Sequence, residues 1–303
     1  MAALGAPSWL PPGKRRLAWG MLFERVGIVG SGIMGAGIAE VAATHGHDVV
    51  VRSRSQSSAD AVKVTLEASL ERQVAKARCT EDERETILAR VSVTTDLGAL
   101  SDADVVIESI VEDLGAKRHL FTELDGICDE RTVLATNTST LPVVDLAMET
   151  ERPDRVCGIH FFNPAPVMPL VEVVRPITAS DEAISAAHAF ARDCGKDPVE
   201  VKDRAGFVVN ALLFPYLNDA VRLLEQGVAA KEGIDAAMRG GCGFPMGPLA
   251  LLDLVGLDTS VAILDALYDE YKDPRYAAAP LLRRMVAAEQ LGRKSGRGFY
   301  SYR

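Results

Sequence analysis

Residues 24–51, ERVGIVGSGIMGAGIAEVAATHGHDVVV, read as a strand, a tight loop, a helix and a second strand. Val26, Ile28 and Val29 form a short apolar strand, and Gly30-Ser31-Gly32-Ile33-Met34-Gly35 follows it as G-x-G-x-x-G. An alanine-rich helix then runs to about His45, with Gly46 closing it. In this context each glycine has its own role. Gly30 permits the turn, Gly32 lets a diphosphate approach the backbone, and Gly35 lets the helix pack on the strand. The helix N-terminus faces the phosphates. The motif alone is a weak signal, but between a strand and a helix it points to a dinucleotide site.

The second strand departs from the expected pattern. An acid that accepts the adenosine ribose hydroxyls is expected about 20 residues past the glycines. Ser53 stands eighteen residues after Gly35, and Arg54 follows it. Ser53 removes the repulsion that a carboxylate would exert on a 2′-phosphate, and Arg54 offers that phosphate a charge-assisted contact. The substitution favours NADP(H) as cofactor. The alternative is that Arg52 and Arg54 are solvated charges and NAD(H) serves as well.

Alternation continues beyond this unit. Residues 57–78 read as a helix with Ala61, Val64, Leu66, Leu70 and Val74 as its apolar positions, and Thr80 to Glu83 as a capping box opening the next. SVTT, ADVVIES and TVLATNTS read as further strands, with a helix over about 114–127. Strands alternating with helices imply a parallel sheet covered on both faces, with ligands beyond the strands' carboxyl ends. That places Ser109, Glu112, Asn137 and Ser139 near the reactive end of a cofactor.

From about Asp203 the pattern is helical: 206–227 as one long helix containing Pro215, then KEGIDAAMRGG, LLDLVGLDTSVAILDALYDEYK and LLRRMVAAEQLG. PMGP (245–248) reads as a rigid connector, and RKSGRGFY as a packed tail whose basic residues can meet a phosphate. The expected fold class is α/β: a Rossmann-type doubly wound sheet domain (23–203) followed by an all-α domain (204–303), whose apolar stripes are most simply core. Residues 1–22 read as an N-terminal extension.

Composition narrows the function. Of 303 residues, 48% are hydrophobic and 25% charged, as in soluble globular proteins. A net charge of -9 argues against a general nucleic-acid binder. Five cysteines without a C-x-x-C pair argue against a zinc cluster or disulfide framework, and point to a reducing cytoplasm. No apolar run is long enough to cross a bilayer, and residues 1–20 lack the apolar core of a secretory signal.

The chemistry concentrates in CGIHFFNPAPVMPLVEVV (157–174). His160 ends one strand, a proline-stiffened loop follows, and the next strand carries Glu172. A carboxylate beside an imidazole fixes its tautomer and raises its basicity, which makes a general base. The pair alone does not distinguish a base from two structural residues.

Longer motifs do. ATNTST, GIHFFNPAPVMPLVEVV, KDRAGFVVNALLFPYLNDAVRL, GFPMGPLALLDLVGLD and LGRKSGRGFYSY occur in this order with the glycine loop. From about Arg25 to Tyr302 the chain resembles the L-3-hydroxyacyl-CoA dehydrogenases. The resemblance implies His160 as the base for the 3-hydroxyl, oriented by Glu172, with Ser139 on the reacting oxygen and Asn210 near the substrate carbonyl. Glu112, Lys117, Asn163 and Lys294 then belong to the cofactor pocket with Ser139, and Ser69 and Lys76 approach the CoA moiety. It also implies that the helical domain (204–303) serves substrate binding and a homodimer. Oxidising a secondary alcohol requires no metal, and no metal-ligand spacing appears in the sequence. Ser53-Arg54 is the departure, since members using NAD carry an acid there. Two other readings stay open: a related dehydrogenase of hydroxy acids or carrier-protein thioesters, and a non-catalytic dinucleotide-binding protein on the same fold.

Overall fold

A computed structural model describes residues 23–302; the N-terminal extension, 1–22, lies outside the described residues. The chain divides between Asp203 and Arg204 into two compact units.

In the first unit the strands are β1 (Arg25–Val29), β2 (Asp48–Arg52), β3 (Val91–Thr94), β4 (Val105–Glu108), β5 (Val133–Thr136), β6 (Val156–Phe161), β7 (Leu170–Arg175) and β8 (Asp197–Lys202). They form an eight-stranded sheet of order β3-β2-β1-β4-β5-β6-β7-β8. The helices are α1 (Ile33–Thr44), α2 (Gln56–Ala75), α3 (Glu81–Ala89), α4 (Leu114–Ile127), α5 (Val143–Ala147) and α6 (Asp181–Asp193). β4, β5 and β6 are buried along their whole length. That explains their unbroken apolar runs, as expected of strands covered on both faces.

β1 to β6 pair in parallel as the alternation predicts, but β7 runs antiparallel to β6. β7 returns antiparallel because only residues 162–169 join the two strands, and a parallel return needs a crossover of about a dozen residues or more. The antiparallel register sets His160 directly opposite Glu172. β7, α6 and β8 then add a parallel unit to the edge.

The apolar face of α2 also differs from expectation. Its buried residues are Ala59, Val62, Leu66 and Leu70, while Ala61 is exposed and Val64 is 64% exposed. Two residues turn a helix by about 200°, so a stripe through Val62 sends Val64 to the opposite side. Val74, one turn past Leu70, is half-buried. The capping box at α3 forms as predicted: Glu83 N donates to Thr80 Oγ1 (3.2 Å), and Thr80 N to Glu83 Oε2 (2.8 Å).

The second unit contains α7 (Val209–Glu225), α8 (Lys231–Cys242), α9 (Pro248–Val255), α10 (Leu257–Tyr271) and α11 (Pro280–Ala287). Pro215 is accommodated within a continuous α7. The segment read as one helix over 251–272 is two, because Gly256 has φ 103° and breaks the run. Pro248 is no mere connector: it opens α9, where its fixed φ suits the first turn.

Asp253 on α9 is buried, and the C-terminal tail wraps it. Its carboxylate accepts from the amides of Phe299 (2.9 Å) and Tyr300 (2.8 Å) and from the Tyr302 hydroxyl (3.0 Å). A Cβ on Gly298 would stand 1.9 Å from Asp253 Oδ1, so only glycine fits there. Gly298, Phe299 and Tyr300 of the tail therefore serve packing. Among the described residues no helix is long and apolar enough to cross a membrane.

Candidate active site

The glycine loop fits a diphosphate. A Cβ on Gly30 would meet Ser109 O at 2.2 Å, and one on Gly35 would meet Gly30 O at 2.1 Å, so loop, helix and β4 are in close contact. Gly32, the N-cap of α1, has open space where its Cβ would be. α1 has neither a side-chain cap nor an acid in its first turn, leaving its positive end to a ligand.

At the end of β2 the Ser53 amide donates to Thr94 O, and the Ser53 hydroxyl is buried without a partner. A buried hydroxyl with no bond costs stability, which a ligand acceptor would recover. Arg54 is exposed.

A charged network joins the ends of β4 and β5. Lys117 Nζ donates to both Glu108 oxygens, at 2.8 and 2.9 Å, and lies 3.0 Å from Glu112 Oε2. Thr136 Oγ1 donates to Glu108 (2.7 Å), as does the Ile110 amide (2.6 Å). Glu112 Oε1 accepts from Thr138 Oγ1 (2.5 Å) and from the Ser139 amide (3.1 Å). Burial alone would raise the pKa of Glu112, but the Lys117 ammonium and these donors bring it below the ordinary value. Glu112, Lys117 and Ser139, expected at one pocket, thus meet at the Glu112 carboxylate, and Lys117 is shared with a second carboxylate, Glu108, whose part is not evident from the sequence. Asn137 Oδ1 accepts from the Phe161 amide (2.8 Å), tying β5 to the end of β6.

His160 and Glu172 face each other across the β6–β7 ladder, with Nδ1 to Oε2 at 2.8 Å and side chains 6% and 1% exposed. With Nδ1–H donating to the carboxylate, Nε2 is the basic nitrogen. The Phe162 ring packs 4.5 Å from the imidazole, centroid to centroid. Lys196 holds the following loop, its ammonium donating to Ala165 O (2.7 Å) and Met168 O (3.0 Å). Burial lowers the pKa of that ammonium.

Beside this loop lies a cleft of about 360 Å³, lined by Ser69, Arg72, Lys76 and Arg78 and by Asn163 across from them. Ser69 and Lys76, expected near CoA, therefore share a cationic cleft with two arginines not foreseen. Glu40 lies at its wall, its carboxylate accepting from Gln73 Nε2 at 2.6 Å; burial raises its pKa.

Sequence comparison joins these features. The family model for the NAD-binding domain of 3-hydroxyacyl-CoA dehydrogenase matches residues 25–204, and that for the C-terminal domain matches 206–302. The chain belongs to the 3-hydroxyacyl-CoA dehydrogenase family. A 3-hydroxybutyryl-CoA dehydrogenase of Mycobacterium tuberculosis is 49% identical over 281 residues, spanning 92% of this chain and 98% of its own. One from Clostridioides difficile is 45% identical over 278 residues, spanning 92% and 99%. The crystal structure of (S)-3-hydroxybutyryl-CoA dehydrogenase from Ralstonia eutropha superposes with a TM-score of 0.90 at 43% identity, covering 93% of this chain and 99% of that one.

Two of the residues implied by the 3-hydroxyacyl-CoA dehydrogenase resemblance lie in the second unit. Asn210 is buried on α7. Lys294 pairs with Asp258 of α10 at 2.6 Å. Its basic neighbours Arg293 and Arg297 are exposed.

Proposed function

We propose that the chain interconverts an (S)-3-hydroxyacyl-CoA, in the first place 3-hydroxybutyryl-CoA, and the 3-oxoacyl-CoA by hydride transfer. The observation that carries this reading is the buried His160–Glu172 pair at 2.8 Å. In the oxidative direction His160 Nε2 takes the proton of the 3-hydroxyl while Glu172 stabilises the resulting imidazolium. The Ser139 hydroxyl bonds the reacting oxygen, and Asn210 bonds near the thioester carbonyl; both fix the substrate for hydride transfer. The bound nicotinamide dinucleotide supplies the hydride acceptor. Gly30, Gly32 and Gly35 hold its diphosphate, and Glu112, Lys117, Asn163 and Lys294 line its pocket with Ser139. Ser69 and Lys76 bind the CoA moiety. The protein works in the cytoplasm as a homodimer assembled through its helical unit.

The names of the relatives support a CoA thioester over the other readings. Turnover of a free hydroxy acid or a carrier-protein thioester in place of the CoA ester would return the first alternative. No turnover of any of these would return a non-catalytic binder.

The deciding experiment is an initial-rate assay with acetoacetyl-CoA, run with NADPH and with NADH at low salt. Ser53 carries no charge against a 2′-phosphate and Arg54 offers one for it, so NADPH should be preferred about tenfold in kcat/KM. The preference should weaken at high salt, since Arg54 is exposed. Ser53→Asp with Arg54→Gln should reverse it. Equal efficiency in the wild type would return Arg54 to the solvated surface.

Glu172→Gln tests the pair. An amide can donate to Nδ1, which puts the ring proton on Nε2 and removes the base. kcat for oxidation should fall about 100-fold with KM little changed. A kcat within about twofold of wild type would leave Glu172 a structural residue.

A further inference from the structure

Two carboxylates, Glu108 and Glu112, share one ammonium, that of Lys117. Their other partners are neutral: the hydroxyls of Thr136 and Thr138 and the amides of Ile110 and Ser139. The cluster therefore carries one uncompensated negative charge. It lies where such a charge is felt strongly, since the Glu108 and Lys117 side chains are 0% and 1% exposed.

The sheet order decides what comes near it. The order reverses between β1 and β4, and a bound dinucleotide lies in the crevice beyond the carboxyl ends there. The glycine loop follows β1, and His160 lies near the end of β6. Hydride must pass between the nicotinamide ring and the carbon whose hydroxyl His160 serves. A ring that serves both points would face the ends of β4 and β5. Glu108 ends β4, Glu112 follows it, and Thr138 and Ser139 follow β5.

The ring is cationic when oxidised and neutral when reduced. A fixed negative charge distinguishes those two states and little else about the cofactor. We propose that the Glu108–Lys117–Glu112 cluster strengthens binding of the oxidised cofactor relative to the reduced one, and so lowers the reduction potential of the bound couple. The proposal rests on the dinucleotide reading of the glycine loop. Glu112 is the accessible member, 39% exposed in its side chain, and a glutamine there keeps an oxygen for Thr138 and Ser139.

The test measures binding to the full chain, with no turnover. Oxidised cofactor, reduced cofactor and ADP-ribose, which lacks the nicotinamide, are titrated by calorimetry into wild type and Glu112→Gln, with the 2′-phosphate present or absent in all three. The ratio of the oxidised to the reduced Kd should rise about tenfold in the variant, with the affinity for ADP-ribose unchanged within about twofold. An unchanged ratio would overturn the proposal. So would a uniform weakening of all three ligands, which would make the cluster a structural brace. If ADP-ribose failed to bind the wild type, the dinucleotide reading would fall, and the proposal with it.

Discussion

His160→Gln should lower kcat by a factor of about 10²–10⁴, the usual worth of a positioned general base. Glutamine is polar and of similar reach, but it has no nitrogen that takes a proton near neutral pH. The alcohol must then lose its proton to water as hydride leaves. Little else should change. The glutamine amide can donate to Glu172, whose carboxylate is buried and needs a partner, so the fold should persist. The glycine loop follows β1, three strands away from β6 in the sheet, so cofactor affinity should stay within about threefold of wild type. Single-turnover kinetics with a pre-bound cofactor, beside a direct binding titration, separate the two effects. Normal kcat in the variant would remove His160 from the chemistry.

Asp253→Ala should lower the unfolding free energy by about 3–5 kcal/mol, because it strips acceptors from several buried donors at once. The Phe299 and Tyr300 amides and the Tyr302 hydroxyl all point at this carboxylate. Alanine leaves a hollow behind Gly298 that the tail cannot fill without moving its backbone. Phe299 belongs to the core of the helical unit, so the loss should spread beyond the tail. Asp253→Asn should fall between, since its amide keeps one acceptor oxygen. Urea unfolding followed by the circular dichroism of the helical unit would measure this. An Asp253→Ala midpoint equal to that of wild type would show that the tail is held by its aromatic packing alone.

Much of the architecture is legible in the sequence because its signals are local. The glycine loop, the capping box at Thr80 and the apolar strands each state their structure within a few residues. His160 and Glu172 are legible as a pair because a short loop joins their strands, which run antiparallel. The rest depends on distant partners. Glu108 sits in the apolar run ADVVIES and looks like a strand's solvent-facing end until Lys117 and Thr136 are seen around it. Lys196 looks like a surface lysine after a helix, yet it holds the carbonyls of a loop some thirty residues earlier. α6 and β8 are absent from the sequence reading, and β8 alternates too weakly, with a proline second in the strand, to announce itself. The expected stripe on α2 is out of phase because alanines and valines occupy both faces. The break at Gly256 is hidden because the apolar pattern continues through it.

The β6–β7 hairpin has a consequence for how this protein can diversify. The alignment of His160 with Glu172 is held in a backbone ladder, so it is inherited with the strand register. Pro166 and Val167 are exposed at the cleft beside it, so they can change and remake the surroundings of a substrate without disturbing that alignment. An insertion at 170 or 171 would do the opposite. It would shift the rest of β7 by one residue and turn Glu172 to the other face of the sheet. Positions 166 and 167 of the turn are thus free to specialise, while the strands on either side carry the chemistry forward unaltered.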